Sequence, residues 1–442
     1  MKPLMITKRF KPELPGSRSL VEHRGLFSFV NLAIFKARVP SVLVATLVLY
    51  ACASNPYQPQ IENLAAVKAR SESQTIGNVR VSVAVPGPVE TEAIFNLPLY
   101  DRGVQPVWIE VDNRGDTDLR YAPVGTDPEY IPPFEVAYTN KAGFSTAAHK
   151  EMERYLHSNT MPRTVKSGEA RSGFIFTQAR PGTKGINIDL FGPKADDIYS
   201  FVFFIPVPGF VADHAQVNFK ALYNPGDMVT YDLPGLRKAL AALPCCSRDQ
   251  SGVREGDPLN LILVGNGDDI LQSLLRAGWF ERIATERGNA SAAEAGYLYG
   301  RTADAVFRKS RPGKGTRSEL HLWMTPMRVG EQPVWAGDVV HFLGSFGGPI
   351  RPDPNIDDAR DFFFQDLWYS QGLARFAWVR GANVAPIDRP KQDIMGNEYF
   401  TDGYRAVLWP SGNPASLLET DYLSWDSPPK RRYREPQSEQ TE

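Results

Sequence analysis

Val79-Arg80-Val81-Ser82-Val83-Ala84-Val85 places a valine at every second position. Successive side chains of a strand point to opposite faces of its sheet, so this stretch reads as a strand with one buried face. Val107-Trp108-Ile109-Glu110-Val111 repeats the pattern and runs into an Asn113-Arg114-Gly115-Asp116 turn. Phe134-Glu135-Val136-Ala137-Tyr138, Ser172-Gly173-Phe174-Ile175-Phe176-Thr177, Ile186-Asn187-Ile188-Asp189-Leu190 and Ser200-Phe201-Val202-Phe203-Phe204-Ile205 follow, and residues 217–223 complete a set of seven. Seven strands at irregular spacing with Gly/Pro turns predict an antiparallel β-sandwich over residues 76–232. One helical insert is expected in it, at residues 147–156.

The whole chain agrees with a folded, turn-rich protein. It has 442 residues, 42% of them hydrophobic and 22% charged, with 36 Gly and 36 Pro. Gly and Pro together make up about 16%, short of the ~25% at which low-complexity disorder begins. The net charge of −1 lacks the basic excess of a nucleic-acid binder.

Beyond the sandwich, residues 233–243 (LPGLRKALAAL) carry apolar residues at helical spacing behind Pro234. With the Cys245-Cys246 loop they form a linker over 233–256. Leu259-Asn260-Leu261-Ile262-Leu263-Val264-Gly265 is almost continuously apolar, as a central strand buried on both faces is. An amphipathic helix at 268–277 follows, then strands at 296–300, 305–309, 319–325 and 333–342, a helix at 356–371, and strands at 374–379 and 404–409. That order predicts an α+β domain over 257–423. The polar end, 424–442, with its KRRYR run, reads as a disordered tail. The fold class is therefore mainly β with α+β.

Three segments of the second domain carry a resemblance. They are Asp257-Pro258-Leu259-Asn260 with Leu275-Arg276-Ala277-Gly278-Trp279; Tyr297-Leu298-Tyr299-Gly300-Arg301 with Leu320-His321-Leu322-Trp323 and Pro333-Val334-Trp335-Ala336-Gly337; and Pro352-Asp353-Pro354-Asn355-Ile356-Asp357-Asp358-Ala359-Arg360-Asp361-Phe362. In order and spacing, over about 257–381, they resemble the LssY C-terminal domain, a bacterial family. The family often has histidines just before the Asp-Pro-Asp-like segment, where this chain has Gly348-Pro349-Ile350-Arg351. Some relatives carry the domain behind membrane segments resembling lipid phosphatases. The resemblance implies an envelope role and assigns no activity.

The N-terminus points to the same place. Residues 39–51 (VPSVLVATLVLYA) are 13 uncharged residues behind Lys36 and Arg38. A membrane-crossing helix needs about 20 residues, whereas a signal-peptide core needs about 7–15. Leu49-Tyr50-Ala51-Cys52 resembles a bacterial lipobox, with Tyr50 a departure from the usual small residue. Residues 1–51 are then a lipoprotein signal peptide, Cys52 the lipidated residue, and 52–75 a polar tether. Ala53 is not acidic, which in such lipoproteins implies passage to the outer membrane. The alternative is an uncleaved anchor. The other cysteines, Cys245 and Cys246, are adjacent; they are either two buried thiols or a vicinal disulfide, and no further cysteine completes a metal site.

Candidate chemistry is sparse. Gly265-Asn266-Gly267 lacks the third glycine of a dinucleotide loop, and Asp268-Asp269 would repel phosphate; Asn266 or Asp268 serves better as a helix cap. His149, Glu153 and His157 share a helix face within a charged, solvated surface. Asp353, Asp357, Asp358 and Asp361 lack the spacing of a calcium loop and suit the start of a helix. No Gly-x-Ser-x-Gly elbow occurs. Arg301, His321 and His341 are the catalytic candidates, near Trp323, Trp335 and Asp338; they would have to converge in one cleft. These readings predict a non-catalytic binding or scaffolding protein, a lipoprotein facing the periplasm from the outer membrane. The alternative is an envelope hydrolase acting on a phosphorylated or lipid-linked substrate. Expected partners are the membrane, through lipid on Cys52, and an envelope protein or ligand. No nucleic acid, nucleotide, metal or cofactor is expected.

Overall fold

The alternating stretch at Val79 becomes the second strand of an antiparallel sheet. The computed structural model describes residues 56–127, 130–194, 197–283, 296–310, 316–344 and 350–428. The apolar segment 39–51, Cys52 and the tail from 429 lie outside them. Strands β1 (Glu72–Ile76), β2 (Val79–Ala84), β3 (Val104–Asn113), β4 (Leu119–Tyr121), β5 (Thr164–Val165), β6 (Ala170–Gln178), β7 (Thr183–Phe191) and β8 (Ile198–Pro206) form two four-stranded antiparallel sheets. Their orders are β1-β2-β3-β6 and β5-β4-β7-β8. Val81, Val83, Ile109 and Val111 of the first share one core with Ile186, Ile188, Phe201 and Phe203 of the second. Each such side chain contributes about 1.5–3 kcal/mol on burial.

The outer face of the first sheet is covered as well. Helices α1 (Leu64–Ala69), α2 (Pro88–Phe95), α3 (Pro133–Thr139) and α4 (Thr146–Ser158) pack Val67, Phe95, Val136, Met152 and Leu156 on Trp108, Phe174 and Phe176. The structure departs from expectation at three places here. Residues 134–138 are helical, because Pro133 at the first turn sets the helix and Val136 and Ala137 turn into the layer; five alternating residues cannot separate period 2 from period 3.6. The expected tether is structured from Tyr57: Leu64 and Val67 are buried and β1 pairs with β2. The 217–223 strand is absent. Phe219–Ala221 is a 3-10 turn, and Phe219, Leu222 and Tyr223 pack at helical spacing against the second core.

The second part is built on Leu261-Ile262-Leu263-Val264. Its elements are β9 (Val229–Tyr231), α5 (Leu233–Ala242), β10 (Cys246–Arg248), β11 (Glu255–Pro258), β12 (Leu261–Val264), α6 (Gly267–Arg276), β13 (Phe280–Glu281), β14 (Ala305–Ser310), β15 (Arg317–Val329), β16 (Gln332–Leu343), β17 (Arg351–Pro352), α7 (Ile356–Tyr369), β18 (Leu373–Arg380), β19 (Lys391–Gln392), β20 (Glu398–Tyr399), β21 (Tyr404–Pro410) and β22 (Asp421–Leu423). Among the described residues, ten strands form one sheet along β13-β14-β15-β16-β12-β21-β18-β22, with β17 beside β16 and β9 beside β15. β12 lies inside it, antiparallel to β16 and parallel to β21, which explains its unbroken apolar run.

One face packs on α6 and α7 through Ile270, Leu274 and Phe363. The other packs on α5 through Leu236 and Leu240, so residues 233–243 belong to the core rather than to a linker. The expected strand at 296–300 is reduced to two isolated bridges. Tyr299 and Gly300 have φ of 52° and 74° and turn the chain back between Leu298 and Arg301, as a pair of left-handed residues does. Residues from Ser54 onward form one unit by contact. No described helix is long and apolar enough to cross a membrane.

Candidate functional site

Register decides where the candidate side chains point. Across β15 and β16, His321 faces Asp338 and Ser318 faces His341. Positions 318 and 321 differ by an odd number, so His321 and His341 project from opposite faces of the sheet. His321 lies on the α5 side with Trp323, and His341 on the side of α6 and α7. Arg301 is elsewhere again. Its guanidinium holds both Asp304 oxygens at 2.8 and 3.0 Å, accepts no proton, and donates to the Tyr223 hydroxyl at 3.0 Å and the Met324 carbonyl at 2.6 Å. Met324 is six residues along β15 from Ser318, about 20 Å at strand rise, and three from His321, about 10 Å. The three candidates therefore do not converge.

His321 sits in a nest of carboxylates. Its Nδ1 lies 2.7 Å from Asp338 Oδ1, and its Nε2 lies 3.7 Å from Glu319 Oε2. Burial works against a charged ring, but the Asp338 charge and hydrogen bond, joined by Glu319 and Asp257, outweigh it and raise the pKa above the ordinary 6.5. Burial, then Asp338 and Asp393, push the Asp257 carboxyl up from its usual range. Arg308 and Arg317 reach Glu319 Oε1 at 3.0 and 2.7 Å. With His321 they outweigh its burial and keep it ionised.

The helix-covered face carries two clefts. The first, about 230 Å³, is lined by Lys309, Arg317, Ser318, His341, Asp353 and Asp358, with Phe362 on its wall. Ser318 Oγ and His341 Nδ1 are hydrogen-bonded at 3.0 Å, and Lys309 is held by Asp366 at 2.7 Å. The second, about 300 Å³, is apolar, with Phe219, Leu322, Met324 and Trp335 in its wall and His214 and Asp268 among its polar atoms. His214 Nε2 is 2.6 Å from Glu281 Oε1. Glu281 also accepts the Thr183 amide at 2.5 Å, and these contacts outweigh its burial to lower its pKa. Sequence reading missed His214, Glu281 and the Ser318–His341 pair, because each joins segments that only the fold brings together.

The remaining candidates have structural partners. Asn266 caps α6, accepting the Asp269 amide at 2.9 Å. The acidic start of α7 is more than a cap. Asp357 is buried, accepts from Thr401 and the Asp402 amide, and joins Asp361 and Asp402 around the buried Arg360; Asn355 makes no side-chain cap. His149 lies 3.7 Å from Glu153, and His157 stacks on Phe134. Cys245 and Cys246 are joined in a vicinal disulfide.

No curated protein matches the chain. The family described as LssY C-terminus matches residues 240–404. That span opens at the end of α5 and closes on the first residue of β21, so it contains the disulfide, β12 and both histidine-bearing strands. The stretch from 240 to 404 is an LssY C-terminal domain.

Proposed function

We propose that the protein is a bacterial envelope lipoprotein, held at the outer membrane by lipid on Cys52 and facing the periplasm. Its folded part binds a ligand or protein partner without transforming it. The observation that carries this reading is the separation of the polar candidates: His321 and His341 leave opposite faces of one sheet, and the Arg301 guanidinium is taken up by Asp304. What the sheet offers instead is two concave surfaces on its helical face, one of mixed charge and one apolar. A small number of polar groups around an apolar wall is the usual make-up of a binding site. The lipobox-like Leu49-Tyr50-Ala51-Cys52 supports the anchor.

A second reading has one observation in its favour. Ser318 and His341 are hydrogen-bonded in a cleft that Lys309 and Arg317 also line, an arrangement suited to a phosphorylated substrate. Ser318 is only 4% exposed and sits within a strand, which leaves its oxygen little room for in-line attack. The test is turnover of phosphomonoester and phospholipid-headgroup substrates by purified protein beside His341→Ala. Equal, background-level rates are expected. Hydrolysis abolished in His341→Ala would overturn the binding reading in favour of the hydrolase.

A further inference from the structure

The vicinal disulfide has a third neighbour. In the β10–β11 hairpin Cys246 pairs with Pro258, and Arg248 with Glu255. The two sulfurs and a Glu255 carboxylate oxygen all lie within 4.8 Å of one another, the one group of three such ligand atoms found among the described residues. Cys246 is buried, Cys245 half-buried and Glu255 exposed. The trio thus has a dry side and an opening to solvent.

Behind it lies Arg405, fully buried. Its guanidinium donates to the carbonyls of Leu240, Leu243, Pro244, Leu259 and Gly381. None of these acceptors is an anion. Pro244 directly precedes Cys245, whose own carbonyl accepts the Leu259 amide at 2.8 Å. A buried positive charge therefore sits one peptide from the sulfur pair. A nearby cation favours thiolate over thiol, and the thiolate is the form that binds metal.

We propose that Cys245 and Cys246, once reduced, form with Glu255 a binding site for a thiophilic divalent cation of the zinc class, and that the disulfide is its closed, metal-free form. Reduction by a dithiol breaks the Cys245–Cys246 bond. Two electrons and two protons pass to the cysteine sulfurs, and the reductant's own sulfurs join. Metal entry then releases both thiol protons to solvent. Two thiolates at about 2.3 Å and one carboxylate oxygen at about 2.1 Å leave a fourth tetrahedral position for water. Ligands so placed stand about 3.8 Å apart, a spacing within the 4.8 Å that already encloses the three atoms. Three negative ligands and one divalent ion sum to −1, which the Arg405 charge balances.

The test uses the full chain carrying Cys52→Ser, so that no other thiol is present. Cd2+ is titrated before and after phosphine reduction, followed by thiolate-to-cadmium ultraviolet absorption and by competition with a chelator. About one Cd2+ per reduced chain and none per oxidised chain is expected, with binding lost in Cys245→Ser/Cys246→Ser. Glu255→Gln, which leaves both sulfurs in place, should weaken binding by at least about tenfold, the scale on which even outer-shell contacts act. Absence of the band after reduction, an equal band in the double serine variant, or wild-type affinity in Glu255→Gln would each overturn the assignment. Far-UV circular dichroism keeps the test decisive if reduction loosens the fold. Cd2+ restores the native spectrum if the site exists and leaves it unchanged if it does not.

Discussion

At the scale of single residues, two buried arginines organise the second half by opposite means. Arg360 is enclosed by Asp357, Asp361 and Asp402, and these carboxylates outweigh the effect of burial on its charge. Arg405 has only carbonyls, and burial lowers its pKa to about 10. Arg405→Met would strand up to five carbonyls, each costing about 1–3 kcal/mol when unsatisfied. A loss of about 3 kcal/mol or more in urea unfolding is expected; a loss under about 1 kcal/mol would show that other donors replace the guanidinium. His321 makes a second prediction. Its folded pKa is raised by Asp338 and Glu319 against burial, so its contribution is complete below about pH 6.5, the ordinary value, and is lost as pH rises through the higher folded one. The Asp257 carboxyl, also raised, loses its contribution in the same sense, from about pH 4 upward. Melting temperature should fall as pH climbs from 6 to 9, and His321→Asn should flatten the upper part of that slope. A slope that His321→Asn leaves unchanged would remove the assignment. Neither arginine's role was legible in advance: Tyr404-Arg405-Ala406-Val407 reads as a strand, and only the fold shows that its charge points into a core.

At the scale of elements, legibility followed the length of the periodic signal. β2 and β7 alternate apolar and polar residues, β3 and β8 are rich in β-branched and aromatic residues, and sequence alone places all four. α4, α5 and α6 carry clear apolar stripes and were equally readable. Short segments failed. Residues 134–138 alternate yet are helical, and 217–223 alternate yet make a 3-10 turn, because a covering layer rewards whichever local shape buries its apolar side chains. The histidine pairings failed for another reason: His214–Glu281 and Ser318–His341 depend on register and on contacts across 67 and 23 residues, which no local pattern records. The cap of α6 was legible and gives a modest prediction. Asn266→Ala, which removes the acceptor for the Asp269 amide, should cost about 1 kcal/mol, read by thermal melting. A cost near zero would mean that Asp268 takes over the cap.

At the scale of the whole molecule, the two sheet systems differ in what they leave open. The first sheet is covered on one side by its partner sheet and on the other by four helices, so the cleft of this half, about 360 Å³, lies beside β4 and β5 and is lined by Arg120, Tyr121, Tyr130 and Arg163. The second keeps both clefts on its helical face. On the proposed reading the anchor is one residue. Intact-mass measurement and cell fractionation of wild type beside Cys52→Ser should show a lipid-sized mass at Cys52 that disappears with membrane association in the variant. An unmodified, full-length mass in the wild type would remove the anchor and, with it, the periplasmic setting of the binding reading.

Arg405 also bears on the order in which the chain matures. It is synthesised 165 residues after the Leu240 carbonyl that it satisfies, and it lies on a strand that must dock parallel to β12, a slow kind of pairing because loop closure precedes any reward. Until that strand arrives, the Leu240–Pro244 corner and the cysteines beside it stay uncommitted. A nascent chain that cannot finish folding early is one that can still be threaded through a translocation pore. On the proposed envelope reading, its cysteines would then meet the oxidising side of the membrane before the last strand locks them in place.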